Sequence, residues 1–106
     1  MRYVLNSAVI SRPGNYEYKL LTELEAEGWL KHGNFTSRVG HKAAAQFLDD
    51  RFSVHCPLSR EPIAMQPGDE GLVVRLKYRL PDDPSLKVPL KPQTEDWEIG
   101  LLKRTA

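Results

Sequence analysis

The chain alternates short apolar runs with polar, turn-forming stretches, and the pattern predicts about five strands and two helices. An apolar run over residues 3–10 is typical of a buried strand. Apolar and charged positions alternate over residues 16–21, which indicates a half-buried strand, and the turn formers at residues 13–15 favour a hairpin between the two. Similar patterns predict further strands at residues 35–39, 72–80 and 97–103.

Two segments between these strands have the period of helices. Thr22 and Glu25 have the spacing of a capping box, so a helix should begin there and run to about His32, with Gly33 as a left-handed stop. After Gly40, apolar residues recur at the spacing of a core-facing stripe: Ala44, Phe47, Leu48 and Phe52.

Strands before, between and after the helices predict a single α/β domain over residues 1–106, with a mixed sheet. A chain of 106 residues supports one core but leaves little room for a deep pocket. A large ligand would therefore bind in a surface groove or between subunits. Residues 81–92 include four prolines and predict a long loop, of the kind that often serves as a lid or binding loop.

Charge, cysteine content and hydropathy limit the kinds of partner, site and location that the chain can have. The net charge is +1, from fifteen basic and fourteen acidic residues, so an anionic partner must be bound by a local cluster of cations. Cys56 is the only cysteine, which excludes an internal disulfide and a Cys-rich zinc site. No apolar stretch reaches the roughly 18 residues of a membrane span, and the N-terminal run is too short for a signal peptide. We expect a cytoplasmic protein that does not contact membranes.

Cations on the strand at residues 72–80 are the first candidate for chemistry. Arg75, Lys77 and Arg79 share one face at intervals of roughly 7 Å, which suits neighbouring phosphates of a nucleotide chain. The alternative is a solvated face that carries long cationic side chains.

The second candidate is the Gly40-His41 pair at the start of the second helix. Free amides at a helix N-terminus attract anions, and a histidine there can give a proton to a leaving oxygen. The alternative is a histidine that only borders the core. Arg60 lies in a loop, and Asp82 stands beside prolines, so both also suit plain surface or turn positions. The three histidines show no chelating spacing, so no metal or other cofactor is expected.

Four segments of the chain form an ordered set: Leu5-Asn6-Ser7-Ala8, Val39-Gly40-His41, Arg60, and Leu76-Lys77-Tyr78-Arg79-Leu80-Pro81-Asp82. This set resembles the viral type III anti-CRISPR ring nucleases and their cellular relatives, over nearly the whole chain. The resemblance implies a homodimer that binds cyclic tetra-adenylate across its interface. It also implies a metal-independent phosphodiesterase that cleaves this messenger to a linear oligoadenylate with a 2′,3′-cyclic phosphate and so switches off type III CRISPR signalling.

The resemblance also assigns roles to residues. It makes His41 the general acid, Arg79 a stabiliser of phosphate charge and Asp82 the acidic catalytic residue. The ligand-binding positions that it implies, besides Arg79, are Asn6, Ser7, Gly40, Lys42, Arg60 and Arg75.

Two departures from the family pattern leave other functions open. The acid is usually a glutamate, whereas this chain has Asp82, and the position that often carries a hydroxyl is Ala43, with Lys42 as the replacement contact. Both departures favour the alternative of a cyclic oligoadenylate sensor or sponge that does not cleave its ligand. A further alternative is a nucleic-acid-binding accessory protein. The near-zero net charge argues against that alternative, so no duplex nucleic acid is expected as a partner.

Overall fold

The computed structural model describes residues 1–7, 12–76 and 97–106. Two helices and five strands occur in these ranges, and the strands form one mixed sheet in the order β2-β5-β4-β1-β3. The predicted α/β class, with a mixed five-stranded sheet and two helices, is therefore confirmed. In chain order the elements are β1 (Arg2–Leu5), β2 (Tyr16–Leu20), α1 (Glu23–Lys31), β3 (Thr36–Arg38), α2 (Lys42–Phe52), β4 (Glu70–Leu76) and β5 (Trp97–Arg104).

The centre of the sheet is parallel and one side of it is antiparallel. Strand β1 runs parallel to both β3 and β4, and β5 runs antiparallel to both β4 and β2. The predicted hairpin between β1 and β2 is therefore wrong. Strand β1 is almost wholly buried, so it needs a neighbour on each side, whereas the exposed β2 suits an edge position.

Both helices cover the same face of the sheet. The predicted stripe on α2 is confirmed, since Ala44, Leu48 and Phe52 are buried and the half-buried Phe47 stacks on Trp97 with ring centroids 4.8 Å apart. Burying each large apolar side chain contributes about 1.5–3 kcal/mol. Cys56 belongs to this core, and burial raises the pKa of its thiol to about 11. The other buried members are Val4, Ala26, Leu30, Val39, Leu72, Val74 and Ile99.

The described residues cover the opposite face of the sheet only in part. A smaller apolar cluster there joins Tyr3, Leu5, Met65, Val73 and Leu102. Because β-strand side chains alternate, Val73 and Arg75 share this face, yet the first is buried and the second is exposed. The apolar cover therefore ends between these two residues, beside the carboxyl end of β4.

The edge strand β2 is more exposed than its alternating pattern predicts. The prediction of a half-buried strand is wrong, because Tyr18 is 41% exposed and Leu20 57% exposed. Tyr18 lies over Gly100 of β5, where an added Cβ would lie 2.3 Å from the tyrosine hydroxyl and 2.4 Å from the ring carbon that bears it. The small partner lets the aromatic ring lie flat, but it provides no apolar neighbour that could cover Leu20.

The start and the end of α1 are bound by different side chains. The capping box at Thr22 and Glu25 is confirmed, with both reciprocal hydrogen bonds present at 3.1 and 3.2 Å. The predicted left-handed stop at Gly33 is wrong, because among the described glycines only Gly68 has a positive φ. The Arg2 guanidinium donates to the carbonyl oxygen of Trp29, so a side chain binds a carbonyl near the end of α1.

In the described part of the chain, neither helix has the length and apolarity to cross a membrane.

Candidate functional site

A cleft of about 390 Å³ opens where β1 and β3 end. Ligands of open α/β sheets bind characteristically outside the carboxyl ends of parallel strands, and this cleft has that position. Most of the described residues that the resemblance singles out line it: Asn6, Ser7, Gly40, His41 and Arg60.

One wall of the cleft is the segment that follows α2, and backbone bonds fix this segment to the end of β3. Leu58 forms a parallel bridge with Val39, and the Ser59 amide donates to the Val39 carbonyl at 2.9 Å. The Ser37 hydroxyl donates to the Pro57 carbonyl at 2.7 Å. The segment thus extends the sheet by a few residues, and it places Arg60 opposite the end of β1.

Gly40 is held from two sides by side chains that are distant in sequence. Its amide donates to Oδ1 of Asn6 at 3.0 Å, and its carbonyl accepts from Nε of Arg60 at 3.2 Å. An added Cβ at Gly40 would lie 3.0 Å from Cγ of Arg60, so the arginine approaches closely because the residue is glycine. We refer to these two hydrogen bonds as the Gly40 clamp. The clamp fixes the backbone immediately before His41.

His41 is the N-cap of α2, as the sequence predicts. Its Nδ1 accepts a hydrogen bond from the Ala43 amide at 3.3 Å, and its side chain is exposed. Because Nδ1 accepts this bond, the neutral ring carries its proton on Nε2. The imidazole is therefore oriented by the helix start, with Nε2 as its donor atom.

A smaller hollow of about 90 Å³ lies on the other side of Asn6 and His41, between them and Arg75 and Trp97. Both Nε and Nη2 of Arg75 donate to one carboxylate oxygen of Glu98, at 3.1 and 2.8 Å. These bonds raise the pKa of Arg75 and bind its charge to a carboxylate. The structure therefore places Arg75 next to His41 but outside the larger cleft.

The remaining predicted site residues stand apart from this group or cannot be placed. Lys42 is the exposed first residue of α2 and lines neither of these two hollows in the described part of the chain. Arg79, Lys77 and Asp82 lie outside the described residues, and so does the predicted loop at 81–92. Their roles stay predictions.

The two other charged residues of the cleft, Arg38 and Glu61, were not indicated by the sequence analysis. Arg38 ends β3 and lines the cleft, and its Nη2 lies 3.4 Å from a carboxylate oxygen of Glu61. Alternation could have indicated Arg38, because it shares a strand face with Gly40 two positions later. No spacing rule signals Glu61, because its contact with Arg38 spans 23 positions and depends on how the segment after α2 packs.

The described residues offer no cluster of metal ligands. Within residues 1–7, 12–76 and 97–106, no three side chains of His, Cys, Asp or Glu come together. Cys56 is buried away from solvent as a neutral thiol. The chemistry that the described cleft offers is therefore that of one imidazole, two guanidinium groups, the Glu61 carboxylate and short polar side chains.

Comparisons with known proteins agree with the fold. B116 of Sulfolobus turreted icosahedral virus has a solved structure that superposes with a TM-score of 0.69, over 97% of this chain and 98% of that one, at 17% sequence identity. An uncharacterized protein of a Sulfolobus islandicus filamentous virus is 38% identical over 97% of this chain and 91% of its own length. The uncharacterized protein YddF of Bacillus subtilis is 32% identical over 74% of this chain and 75% of its own length.

The family assignment rests on sequence as well as on the fold. Residues 2–88 match the family described as STIV B116-like, and this range includes the clamp, His41 and every described residue of the cleft. The relatives of 30% identity or more include a viral protein and a bacterial one. The chain belongs to the STIV B116-like family.

Proposed function

We propose that two copies of this protein enclose cyclic tetra-adenylate and cleave it to linear oligoadenylate that ends in a 2′,3′-cyclic phosphate. The observation that carries the proposal is the Gly40 clamp, which fixes a histidine at a helix N-terminus inside a cleft that also contains arginines. A phosphodiester needs cations around its oxygens and a proton donor near its leaving oxygen, and the cleft brings both together.

The proposed reaction uses the ligand's own nucleophile. A ribose 2′-oxygen attacks the adjacent phosphorus in line, a new P–O bond forms, and the bond from phosphorus to the 5′-oxygen breaks. Arg60 stabilises the negative charge that grows on the phosphate, and His41 acts as the imidazolium, which gives its Nε2 proton to the departing 5′-oxygen and becomes the neutral ring. Arg79 is proposed to share the first role. Asp82 is proposed to orient the 2′-hydroxyl, whose proton passes to the Asp82 carboxylate or to water as the new P–O bond forms.

The size of the cleft favours a shared site. A volume of about 390 Å³ lies at the lower end of the range for small-ligand pockets and is too small for a ring of four nucleotides. A cyclic tetranucleotide of identical units contains a two-fold axis, and a two-fold dimer would present one cleft to each half of it. Each copy of His41 could then act on one of two opposite linkages.

The test is to incubate the protein with labelled cyclic tetra-adenylate in the presence of EDTA and to identify the products by chromatography and mass spectrometry. The proposal predicts linear products with a cyclic phosphate, at the same rate with and without the chelator. Cyclic rings of other sizes, offered in parallel, measure the preference. A ring that is neither bound nor cleaved overturns the proposal.

A second function, the binding of the ring without cleavage, is supported by the residue after Lys42. Ala43 has no hydroxyl for a phosphate, and its amide is already used by Nδ1 of His41. A sensor or sponge would need the cations but not the proton transfer. Tight binding with no product after long incubation would establish this second function in place of the first.

A further inference from the structure

The three nitrogen atoms of the Arg38 guanidinium differ in their partners. Its Nη1 donates to the Ser37 carbonyl at 3.0 Å, and its Nη2 lies 3.4 Å from the Glu61 carboxylate. Its Nε is buried and has no hydrogen-bond partner among the described residues. A buried N–H without a partner is costly, so an oxygen that reaches this atom would be bound favourably.

Other arginines in the same structure show what this edge of the guanidinium usually binds. Arg75 and Arg51 each direct Nε and Nη2, the two donors of one edge, to a single carboxylate, on Glu98 and Glu23 respectively. Arg38 has the same edge but only its Nη2 is near a carboxylate. This edge is therefore half occupied, and it fits the forked geometry of a phosphate.

Glu61 is a weak occupant of that edge. Its side chain is 74% exposed, whereas the Arg38 side chain is only 22% exposed. An ion pair at 3.4 Å whose carboxylate is exposed adds little to stability, because water competes for Glu61. A phosphate oxygen pair that enters the cleft could displace the carboxylate without breaking the backbone bonds that fix the wall.

We propose that Arg38 binds a phosphate of the ligand through its Nε–Nη2 edge, and that Glu61 occupies this edge in the empty protein and leaves when the anion enters. The proposal deepens the proposed function, since it names a second phosphate subsite of the same cleft. Arg38 lines the cleft from β3 and Arg60 lines it from the adjoining segment after α2, so two phosphates or two oxygens of one phosphate could be held by the pair.

The experiment measures binding of two probes, cyclic tetra-adenylate and inorganic tripolyphosphate, at low and moderate salt. Arg38→Gln should weaken binding of the ring by about ten- to hundredfold, the usual range for a charge-assisted hydrogen-bond partner. Glu61→Gln should strengthen it by roughly threefold to tenfold at low salt, because a competing carboxylate has been removed. In the Arg38→Gln background, Glu61→Gln should have little remaining effect.

Matched controls come from the exposed pair on the helices. Arg51→Gln and Glu23→Gln make the same charge changes away from the cleft and should leave both affinities unchanged. If Arg38→Gln fails to fold by thermal unfolding, Arg38→Lys and Glu61→Gln replace it. Lysine should bind less tightly than arginine because it lacks the fork, and Glu61→Gln should still strengthen binding.

The two proposals fail in different ways. If the wild type binds the ring and Arg38→Gln binds it as Arg51→Gln does, the Arg38 subsite is overturned and the proposed function stands. If the wild type does not bind the ring, the proposed function is overturned and tripolyphosphate decides the subsite. Loss of tripolyphosphate binding in Arg38→Gln alone supports the subsite, and equal binding, or none in any variant, overturns it.

Discussion

The two hollows on either side of Asn6 and His41 contain similar residues, but Arg60 of the larger and Arg75 of the smaller have different partners. In the larger cleft, Arg60 donates to a backbone carbonyl of Gly40, a neutral group. In the smaller hollow, Arg75 donates twice to the carboxylate of Glu98. A guanidinium on a carbonyl keeps its charge for a ligand, whereas one on a carboxylate has already been neutralised.

This difference shows that residue type alone does not make a phosphate site. Arg75 looked the stronger candidate because it belongs to a row of cations on one strand, and Arg60 looked like a lone loop residue. The structure makes Arg60 the stronger candidate, because Arg60 donates to a carbonyl whereas the carboxylate of Glu98 compensates the charge of Arg75. The larger cleft should attract anions, and the smaller hollow should do so only if Arg75 leaves Glu98.

The largest expected effect is on His41, which borders both hollows. His41→Ala should reduce cleavage of the ring by about 10²- to 10⁴-fold, because general acid catalysis contributes that much. Binding should change little, since the lost interaction belongs to the transition state. Single-turnover cleavage and equilibrium binding are measured together, with His55→Ala, an exposed histidine in the segment after α2, as control. Cleavage at the wild-type rate in His41→Ala would remove the general-acid role.

The two arginines give the most direct test of the comparison. Arg60→Gln should weaken binding of cyclic tetra-adenylate by about ten- to hundredfold, because it removes a charged donor from the cleft. Arg75→Gln should weaken it by only about threefold or less, because its charge is compensated by Glu98. Titration of both variants by fluorescence or calorimetry checks the order. Equal losses, or a larger loss in Arg75→Gln, would contradict the contrast between the two hollows.

Substitution of Asn6 tests whether the Gly40 clamp contributes to cleavage by positioning His41. Asn6→Ala removes the acceptor of the Gly40 amide, and it should lower the free energy of unfolding by about 1 kcal/mol. Cleavage should fall by about tenfold with a smaller change in binding, because the histidine loses its fixed backbone. Denaturant unfolding and single-turnover rates measure the two effects. A drop in stability with an unchanged rate would mean that the bond only holds the fold.

The smallest expected effect comes from freeing Arg75. Glu98→Gln should strengthen binding of the ring by roughly twofold to fivefold at low salt, because the guanidinium gains an uncompensated charge. A second readout is Tyr18, whose pKa is raised first by burial and then by the Glu98 charge. In Glu98→Gln the phenol should therefore ionise at lower pH in an ultraviolet titration. Glu23→Gln is the matched control. If neither ring binding nor the Tyr18 titration changes in Glu98→Gln, Glu98 does not compensate the charge of Arg75.

Much of the fold could be predicted because it depends on local patterns. The capping box at Thr22, the stripe on α2 and the alternation along β4 each depend on neighbours within a few positions. Strand pairing could not be predicted, since turn residues at 13–15 permit a hairpin but do not select the partner. The exposed β2 instead pairs with β5, which lies about 80 positions later.

The candidate site also has residues that the sequence indicates and contacts that only the tertiary structure creates. Helix-start chemistry indicated Gly40 and His41 from adjacent positions, and the resemblance added Asn6 and Arg60. The hydrogen bonds that join them span 34 and 20 positions, and the Arg38–Glu61 contact spans 23. No local rule relates such positions, so the missed pair could be found only once the wall segment was placed against β3.

The sequence by itself determined the class of fold, where helices begin and which face of α2 is buried, because these depend on backbone propensity and on periods of two or 3.6 residues. Only the tertiary structure decided which strand lies at the edge, which arginine is neutralised and which remains open to an anion. The reason is that a side chain's charge acts through its nearest partners, and those partners come from segments that meet only when the sheet assembles.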